Sequence, residues 1–442
     1  MSLPMALQAG VRRGLRTGIA SVRSRLAAGV LDAGLSSVAT FATGIYASRF
    51  LDPHELGGYA LIFSATVVSA ILPTQLIFVP AETAAVAQPM GIRRRLLLHT
   101  SAQGIWITLV AALLVPGAAV VVPGSVPRAA VYALAMTATL NAFVTPIQDH
   151  VRRMLHVAGL SWWAAAVSAL RVLLVILTIV GAPLFSLPGA WVPFGALAVG
   201  NALSILLALA VAMRADVEAR SSVVPAQALV RGGGWLLIVG LLAPATAFIV
   251  GSIVAHVAGA ESLGYAEACR QVGQPLFVFA SGLSSVLGPR LTEAAQRHDA
   301  KSASHHERAF LVLMMAVSVP YIVLTAHSWT WNPLSHVLPN AYAISGLIAV
   351  TLVANLVNGL NFSQRAELLG AGEFTDLART ELAGNVVRTA IAATAGASRS
   401  FAIPVGLVAL AAYRWLSFSR TLRRYYAPVA ERTQQSPVAT LA

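Results

Sequence analysis

Long apolar segments follow one another along almost the whole chain, and they constrain the fold more than any other feature of the sequence. A helix needs about 20 mostly apolar residues to cross the hydrocarbon core of a bilayer. Only 11% of the 442 residues are charged, against roughly a quarter in soluble domains, and no segment alternates as a barrel strand does. The sequence therefore predicts an all-α polytopic membrane protein of about 12 transmembrane helices. The predicted spans are Leu26–Ser48, Gly58–Ala81, Leu96–Val122, Ala129–Gln148, Leu160–Ala182, Gly189–Met213, Gly232–Ala258, Ala266–Gly288, Ala309–Trp331, Ala341–Phe362, Thr380–Gly396 and Ser400–Ser419.

Basic side chains alternate between the two ends of successive spans, as they do in membrane proteins with basic cytoplasmic loops. If the N-terminus is cytoplasmic, most of the 30 Lys and Arg residues fall in inner segments. We therefore expect a multi-pass protein of the cell membrane with both termini in the cytoplasm. In this topology the outer loops hold Arg49, Arg128, Arg270 and Arg399, and the spans hold Arg171, Arg388 and Arg414.

Two short motifs recur at nearly constant offsets, which indicates two copies of a six-span unit. The sequence Glu-Leu-Gly-Gly-Tyr-Ala at 55–60 is similar to Glu-Ser-Leu-Gly-Tyr-Ala at 261–266. The pattern Arg-x-x-Leu-x-x-Ala-Gly at 152–159 returns at 365–372. A parallel repeat of this kind places the substrate path between the halves. We predict a basic N-terminal segment at 1–25 and a cytoplasmic tail at 421–442. Between them we predict two six-helix bundles, at 26–213 and 232–420, joined by a cytoplasmic linker at 214–231.

The first loop carries a recognisable signature. The stretch 47–61, Ala-Ser-Arg-Phe-Leu-Asp-Pro-His-Glu-Leu-Gly-Gly-Tyr-Ala-Leu, resembles the first-loop pattern of O-antigen-type polysaccharide flippases. These flippases belong to the multidrug/oligosaccharidyl-lipid/polysaccharide exporter superfamily. Their pattern is a small residue and Arg, then Leu-Gly-Pro, an acidic residue, an aromatic-Gly pair and a Tyr. Here Asp52 replaces the usual Gly and Leu56 replaces the usual aromatic residue.

The resemblance implies a fold and a function. It implies two pseudo-symmetric six-helix bundles, as in MATE transporters, with a central cavity and alternating access. It also implies a flippase that moves a polyprenyl-diphosphate-linked oligosaccharide from the inner to the outer leaflet for cell-surface polysaccharide synthesis. Its partners would be the bilayer, the lipid-linked oligosaccharide, and a polymerase and glycosyltransferases of that pathway, with no nucleic acid. Such a protein is not an enzyme and needs no cofactor or metal, and its coupling to a proton or a sodium gradient stays open.

Charged residues inside the predicted spans are the first candidates for function. Each costs about 2.5–3.5 kcal/mol on insertion scales, so it faces a cavity or a partner. Arg171 lies in span five, and span eleven carries Glu381, Asn385 and Arg388 at i, i+4 and i+7, on one helical stripe. Because a guanidinium binds phosphate oxygens in bidentate fashion, we predict that Arg171 and Arg388 contact the substrate. The alternative is a structural pair with an acidic neighbour, which for Arg388 is Glu381.

Amide side chains inside spans are the second set of candidates. They can bond sugar hydroxyls, and they can equally join neighbouring helices. The amides assigned to substrate binding are Asn141, Asn355, Asn358 and Asn385.

Four further residues are assigned to coupling or gating. Asp32, a turn or two into span one, either binds a coupling proton or cation or reaches the inner surface. Glu381 shares the stripe of Arg388, and Arg49 lies at the end of span one. Pro244 frees a backbone carbonyl inside span seven and should bend that helix.

Two other functions compete with the flippase. A multidrug or small-molecule exporter of the same superfamily would need an acidic, aromatic-lined cavity for organic cations, and Arg171 and Arg388 disfavour it. A membrane glycosyltransferase or polysaccharide polymerase would need an acidic pair, and Asp52 and Glu55 are the only feature that points to one. Every predicted outer loop is short, which leaves little room to hold an acceptor.

Overall fold

The computed structural model describes most of the predicted spans. It covers residues 5–86, 88–213, 225–326, 346–394 and 399–427, together with Asn332, Leu334, Leu338, Pro339, Tyr342 and Ile344. Within these residues the regular structure is helical, without a strand. Residues 1–4 of the predicted N-terminal segment, 214–224 of the predicted linker and 428–442 of the predicted tail lie outside the described residues.

Thirteen α-helices make up twelve long helical segments in the described part of the chain, since a π-helical turn at Thr74–Phe78 joins α2 to α3. The segments follow the twelve predicted spans in order, which confirms the all-α prediction. The helices are α1 (Met5–Phe50), α2 (Pro53–Pro73), α3 (Val79–Val86), α4 (Met90–Ala112), α5 (Arg128–Val157), α6 (Ser161–Gly181), α7 (Val192–Met213), α8 (Ala226–Val257), α9 (Ala260–Gln296), α10 (Ala300–Ala326), α11 (Leu347–Ala371), α12 (Phe374–Thr394) and α13 (Ala402–Tyr426).

Ten of these segments are long and apolar enough to cross a membrane by length and composition. The two that fall short are α9 and α12, and both carry buried charged residues. Glu267 and Arg270 lie in α9, and Glu381 and Arg388 lie in α12. The two helices that depart from the apolar pattern therefore carry charge into the interior of the chain.

Contacts between helices divide the chain into two compact units. The first comprises Met1–Thr43, Ser69–Gly117 and Ala135–Ile238, and the second comprises Gly44–Val68, Ala118–Leu134 and Val239–Ala442. The contact units are discontinuous, whereas the bundle boundaries predicted from the repeat run consecutively along the chain. Those predicted boundaries stay a prediction.

The second repeated motif ends its helix in the same way in both copies. Gly159 after α5 and Gly372 after α11 have left-handed backbone, with φ of 77° and 76°. In each copy the amide of the next residue, Leu160 or Glu373, donates to the carbonyl five residues earlier. This is the hydrogen bond of a Schellman cap, in which glycine avoids the steric cost of a left-handed residue. The sequence repeat is therefore also a repeat of local structure.

The first repeated motif begins its helix in both copies, at the start of α2 and of α9. These two helix starts, both in the second unit, lie backbone against backbone. A Cβ atom on Gly57 would collide with the carbonyl oxygen of Ala260, and one on Gly264 would collide with that of Pro53. The two glycines thus allow the two copies of the motif to touch.

The acidic pair of the first loop caps a helix. The amide of Glu55 donates to the Asp52 carboxylate at 2.9 Å, and the amide of Asp52 donates to the Glu55 carboxylate at 3.3 Å. Reciprocal bonds of this kind form a capping box, which satisfies free amide groups at a helix start. The pair that pointed to a glycosyltransferase therefore has a structural explanation at the start of α2.

Candidate functional site

A cavity of about 380 Å³ lies inside the second unit, lined by residues of α2, α8, α9, α12 and α13. A neighbouring space of about 230 Å³ extends it to α11. The two volumes are parts of one space, because they share the lining residues Ala266, Arg270, Phe277, Arg388 and Ile403.

Arg388 of α12 lines both parts of this space. No acidic side chain pairs with it among the described residues, and its buried Nε atom has no hydrogen-bond partner. Gly406 of α13 gives the arginine room, since a Cβ atom there would come within 3.3 Å of the Arg388 Cγ atom. Arg388 thus brings a positive charge without a counter-ion into the cavity, which is where the sequence placed a substrate contact.

A second arginine, Arg270, also lines the cavity. The sequence counted it with an outer loop; in the structure it is the eleventh residue of α9. Its Nε and Nη2 atoms donate to the two carboxylate oxygens of Glu267, each at 2.7 Å. The i, i+3 spacing places the two side chains on the same helix face. Because opposite charges offset one another, pairing reduces the cost of burying both side chains on α9.

Three neighbours complete the arrangement around this ion pair. Gln271 donates to the Glu267 carboxylate at 2.7 Å, and Arg270 donates to Gln274 Oε1 at 3.3 Å. The Arg270 guanidinium also lies 5.3 Å from the centre of the Phe63 ring of α2, within the range of a cation–π interaction. A Glu-x-x-Arg spacing at the start of span eight was the signal in the sequence that could have indicated this pair.

Glu381 pairs with an arginine other than the one considered in the sequence. Its carboxylate accepts a hydrogen bond from Arg414 of α13 rather than from Arg388. Arg414 also donates to Asn358 Oδ1 at 3.0 Å, so α11, α12 and α13 meet at this pair. Glu381 is only 7% exposed. Glu381 is the only carboxylate on the stripe of α12 formed by Glu381, Asn385 and Arg388. Because it pairs with Arg414, Arg388 has no carboxylate partner on this stripe.

The predicted amides of the second unit take different positions. Asn355 and Asn358 line the cavity, whereas the Asn385 side chain donates to the carbonyl of Glu381 within its own helix. Pro244 of α8 lines the cavity as well. Arg49 is exposed at the last turn of α1.

In the first unit Asp32 is buried at the centre of a polar cluster, with 2% of its surface exposed. Its carboxylate accepts hydrogen bonds from Arg152 at 2.5 Å and from Ser168 at 2.5 Å, and it lies 2.8 Å from His156 Nε2. Three partners hold this carboxylate inside the bundle. The sequence indicated Asp32 but gave no sign of Arg152 or His156 as its partners, since both lie more than 100 residues away.

Arg171 lies next to this cluster and has no direct bond to Asp32. Its Nη1 atom donates to Ser36 at 3.0 Å, and Ser36 is one turn after Asp32 on α1. The Nε atom of Arg171 is buried without a hydrogen-bond partner.

Asn141 joins helices within the same unit. Its Oδ1 atom accepts from Asn201 of α7 at 3.1 Å and from Thr145 at 3.0 Å. This is the joining of neighbouring helices that was the alternative to substrate binding for the amides.

The cavity of the second unit is positively charged overall. Arg270 and Arg388 line it against one carboxylate, Glu267, so its lining carries one net positive charge. In the part of the chain that the structure describes, no group of three or more His, Cys, Asp or Glu side chains could hold a metal ion. The cavity is suited to an anion.

Comparison with known proteins identifies the fold. No family model and no curated sequence matches this chain, but several solved structures do. A multidrug resistance MATE transporter of the MOP superfamily, in an inward-facing conformation, has a TM-score of 0.72 at 13% identity over 91% of this chain and 96% of that one. A MOP superfamily transporter from Pyrococcus furiosus has a TM-score of 0.61 at 14% identity, over 92% and 96% of the two chains. The lipid II flippase MurJ, in an inward closed conformation, has a TM-score of 0.61 at 11% identity over 89% of both chains.

These matches cover almost all of each chain, and their low identities make them evidence of fold alone. They confirm the predicted fold class, a MATE-like arrangement of helices in two bundles. Together with the ten apolar segments they identify a multi-pass membrane protein.

Proposed function

We propose that this chain is a transporter that carries a polyprenyl-diphosphate-linked oligosaccharide from the inner to the outer leaflet of the cell membrane, for cell-surface polysaccharide synthesis. The observation that carries the proposal is Arg388, a guanidinium without an acidic partner among the described residues, lining a cavity inside a helical unit. The lipid bilayer and the lipid-linked oligosaccharide are its partners under this proposal, and both termini lie in the cytoplasm.

The charge of the cavity sets the kind of substrate. A charge that leaves water for a low-dielectric interior is very costly unless fixed charges and hydrogen bonds replace its hydration. Arg388 and the cavity face that carries Arg270 offer such a replacement to a phosphate group, because a guanidinium presents paired donors that match phosphate oxygens. An organic cation, the substrate type of a multidrug exporter, would meet a net positive lining instead.

The remaining lining suits the neighbouring parts of such a lipid. Asn355, Asn358 and Gln274 offer donors and acceptors to sugar hydroxyls in the part of the cavity near α11. Phe277 and Phe63 offer aromatic faces and apolar surface in the larger part. A cavity of these volumes is large enough for a diphosphate and the sugar next to it, with the rest of the molecule outside.

The structural neighbours support a transporter. One of them is described as a lipid II flippase. Another carries the description that a reversed polarity of its binding pocket suggests a different function within the MOP superfamily. In this chain the positive lining of the cavity supports an anionic cargo over an organic cation.

The test is a flux measurement on charge-neutralised variants. Arg388→Gln keeps the length and polarity of the side chain but removes its charge. Arg128→Gln is the matched control, since Arg128 is exposed at the start of α5 in the same unit. Both proteins are reconstituted into proteoliposomes, and the appearance of labelled lipid-linked oligosaccharide in the opposite leaflet is followed.

We expect Arg388→Gln to lose most of the flux and Arg128→Gln to keep it. Wild-type flux of Arg388→Gln at equal abundance would contradict the charge-based mechanism. Transport of an organic cation dye by the wild type, with no flux of the lipid, would instead identify the multidrug exporter.

A further inference from the structure

We infer that Glu267 is a proton-binding site linked to anion binding in the cavity: the anion takes Arg270 from Glu267, and the released carboxylate takes up a proton. The inference rests on the proposed function and adds to it a protonation linked to binding and the residue that takes up the proton.

The starting point is a mismatch of charge between cavity and cargo. The diphosphate of a polyprenyl-linked sugar is a diester with two negative charges. Arg388 alone offers one positive charge without a partner in the described part of the cavity. Arg270 is the other lining cation, and its two donor atoms are already occupied by Glu267 at 2.7 Å each. A bound diphosphate therefore competes with Glu267 for the same guanidinium.

Arg270 is placed so that it can change partners. Its side chain is 36% exposed, and its bond to Gln274 is long at 3.3 Å, so it is held firmly by Glu267 alone. The Phe63 ring can keep the guanidinium in the cavity while its donors turn to another acceptor.

Glu267 cannot stay charged once Arg270 has turned away. Its side chain is 6% exposed, and the partner that remains, the Gln271 amide, is neutral. A buried carboxylate without a counter-ion is costly, and it becomes neutral by binding a proton. Two other ionisable groups lie near the pair in the described part of the chain: Arg388 of α12, whose charge the anion has already bound, and Tyr59 of α2, which lies near Arg270.

The proton has a direct consequence for affinity. If the empty cavity holds Glu267 charged and the filled cavity holds it neutral, binding takes up one proton from solution. Affinity for the anion must then fall as the pH rises, by up to tenfold for each pH unit over which a full proton is taken up. Binding of the anion and protonation of Glu267 are thus linked.

The experiment measures proton uptake on binding by titration calorimetry. The ligand is farnesyl-diphosphoryl-N-acetylglucosamine, whose diester diphosphate does not itself titrate near neutral pH. Each protein is titrated in detergent at one pH, in several buffers that differ in ionisation enthalpy. The slope of the observed binding enthalpy against the ionisation enthalpy of the buffer gives the number of protons taken up. The proteins are the wild type, Glu267→Gln, and the matched control Glu261→Gln, which removes a carboxylate at the start of the same helix.

We expect the wild type and Glu261→Gln to take up close to one proton. Glu267→Gln should take up none, and it should bind more tightly than the wild type at high pH because nothing competes for Arg270. Proton uptake that persists in Glu267→Gln overturns the inference, and so does tight binding by the wild type without uptake. Either result leaves the proposed function standing, whereas no binding of the ligand by the wild type rejects both.

If Glu267→Gln does not fold, the pH dependence of the wild type decides. An affinity that is the same at pH 6 and pH 8 overturns the inference.

Discussion

Replacing Asp32 by Asn tests whether the buried cluster of the first unit is a stabilising network. The two side chains have the same shape, but Asn carries no charge and has one acceptor oxygen instead of two. In the wild type the carboxylate accepts from Arg152 and Ser168 at 2.5 Å each and lies 2.8 Å from His156. The substitution therefore removes a charge from three partners while the volume of the core stays the same.

The expected loss follows from those contacts. A hydrogen bond to a charged group contributes about 1.5–3 kcal/mol, and leaving one member of a buried ion pair alone costs about 3–5 kcal/mol. Arg152 keeps a second carboxylate, Asp149 at 3.2 Å, so its charge is not left entirely alone. We expect Asp32→Asn to lower the free energy of unfolding by about 3 kcal/mol, toward the lower end of that range.

Asp149→Asn is the matched control. It removes the other carboxylate that pairs with Arg152, but the Asp149 side chain is 34% exposed. A partly exposed ion pair contributes at most about 1 kcal/mol. The two substitutions thus remove the same kind of group from the same arginine and differ in burial.

The assay is reversible unfolding by SDS in mixed micelles, followed by the fluorescence of the 8 tryptophans. A double-mutant cycle of Asp32→Asn with Arg152→Gln should show that the two losses are less than additive, since both remove the same interaction. Losses of equal size for Asp32→Asn and Asp149→Asn would refute the reasoning, because burial would then make no difference.

Two further outcomes test the repeated motifs. Gly264→Ala should strongly reduce the yield of folded protein, because its Cβ atom would collide with the backbone of Pro53, whereas Gly282→Ala, where a Cβ atom meets nothing within 4 Å, should be tolerated in the same size-exclusion assay. Asp52→Ala should lower the free energy of unfolding by about 1 kcal/mol through loss of the cap and keep lipid flux, and complete loss of flux at normal abundance would show that this acidic pair does more than cap α2.

The sequence by itself determined the helices and the repeat. Span length and apolar composition are local properties, so twelve segments could be counted before any contact was known. The helix ends at Gly159 and Gly372 are local properties as well, since a left-handed helix end is specified by the residues of that end. Charges inside spans likewise predicted that each such side chain faces a cavity or a partner.

Only the tertiary structure decided which partners those are. Glu381 could have reached Arg388 along its own helix, but it pairs with Arg414, 33 residues away on α13. Asp32 meets Arg152, 120 residues away, and Arg270 pairs with Glu267 on its own helix. The residue pattern of one helix predicts which of its faces is polar. The partner of that face depends on which helices pack beside it and on how far each is shifted along its axis. That choice left Arg388 without a carboxylate among the described residues, and the candidate site depends on it.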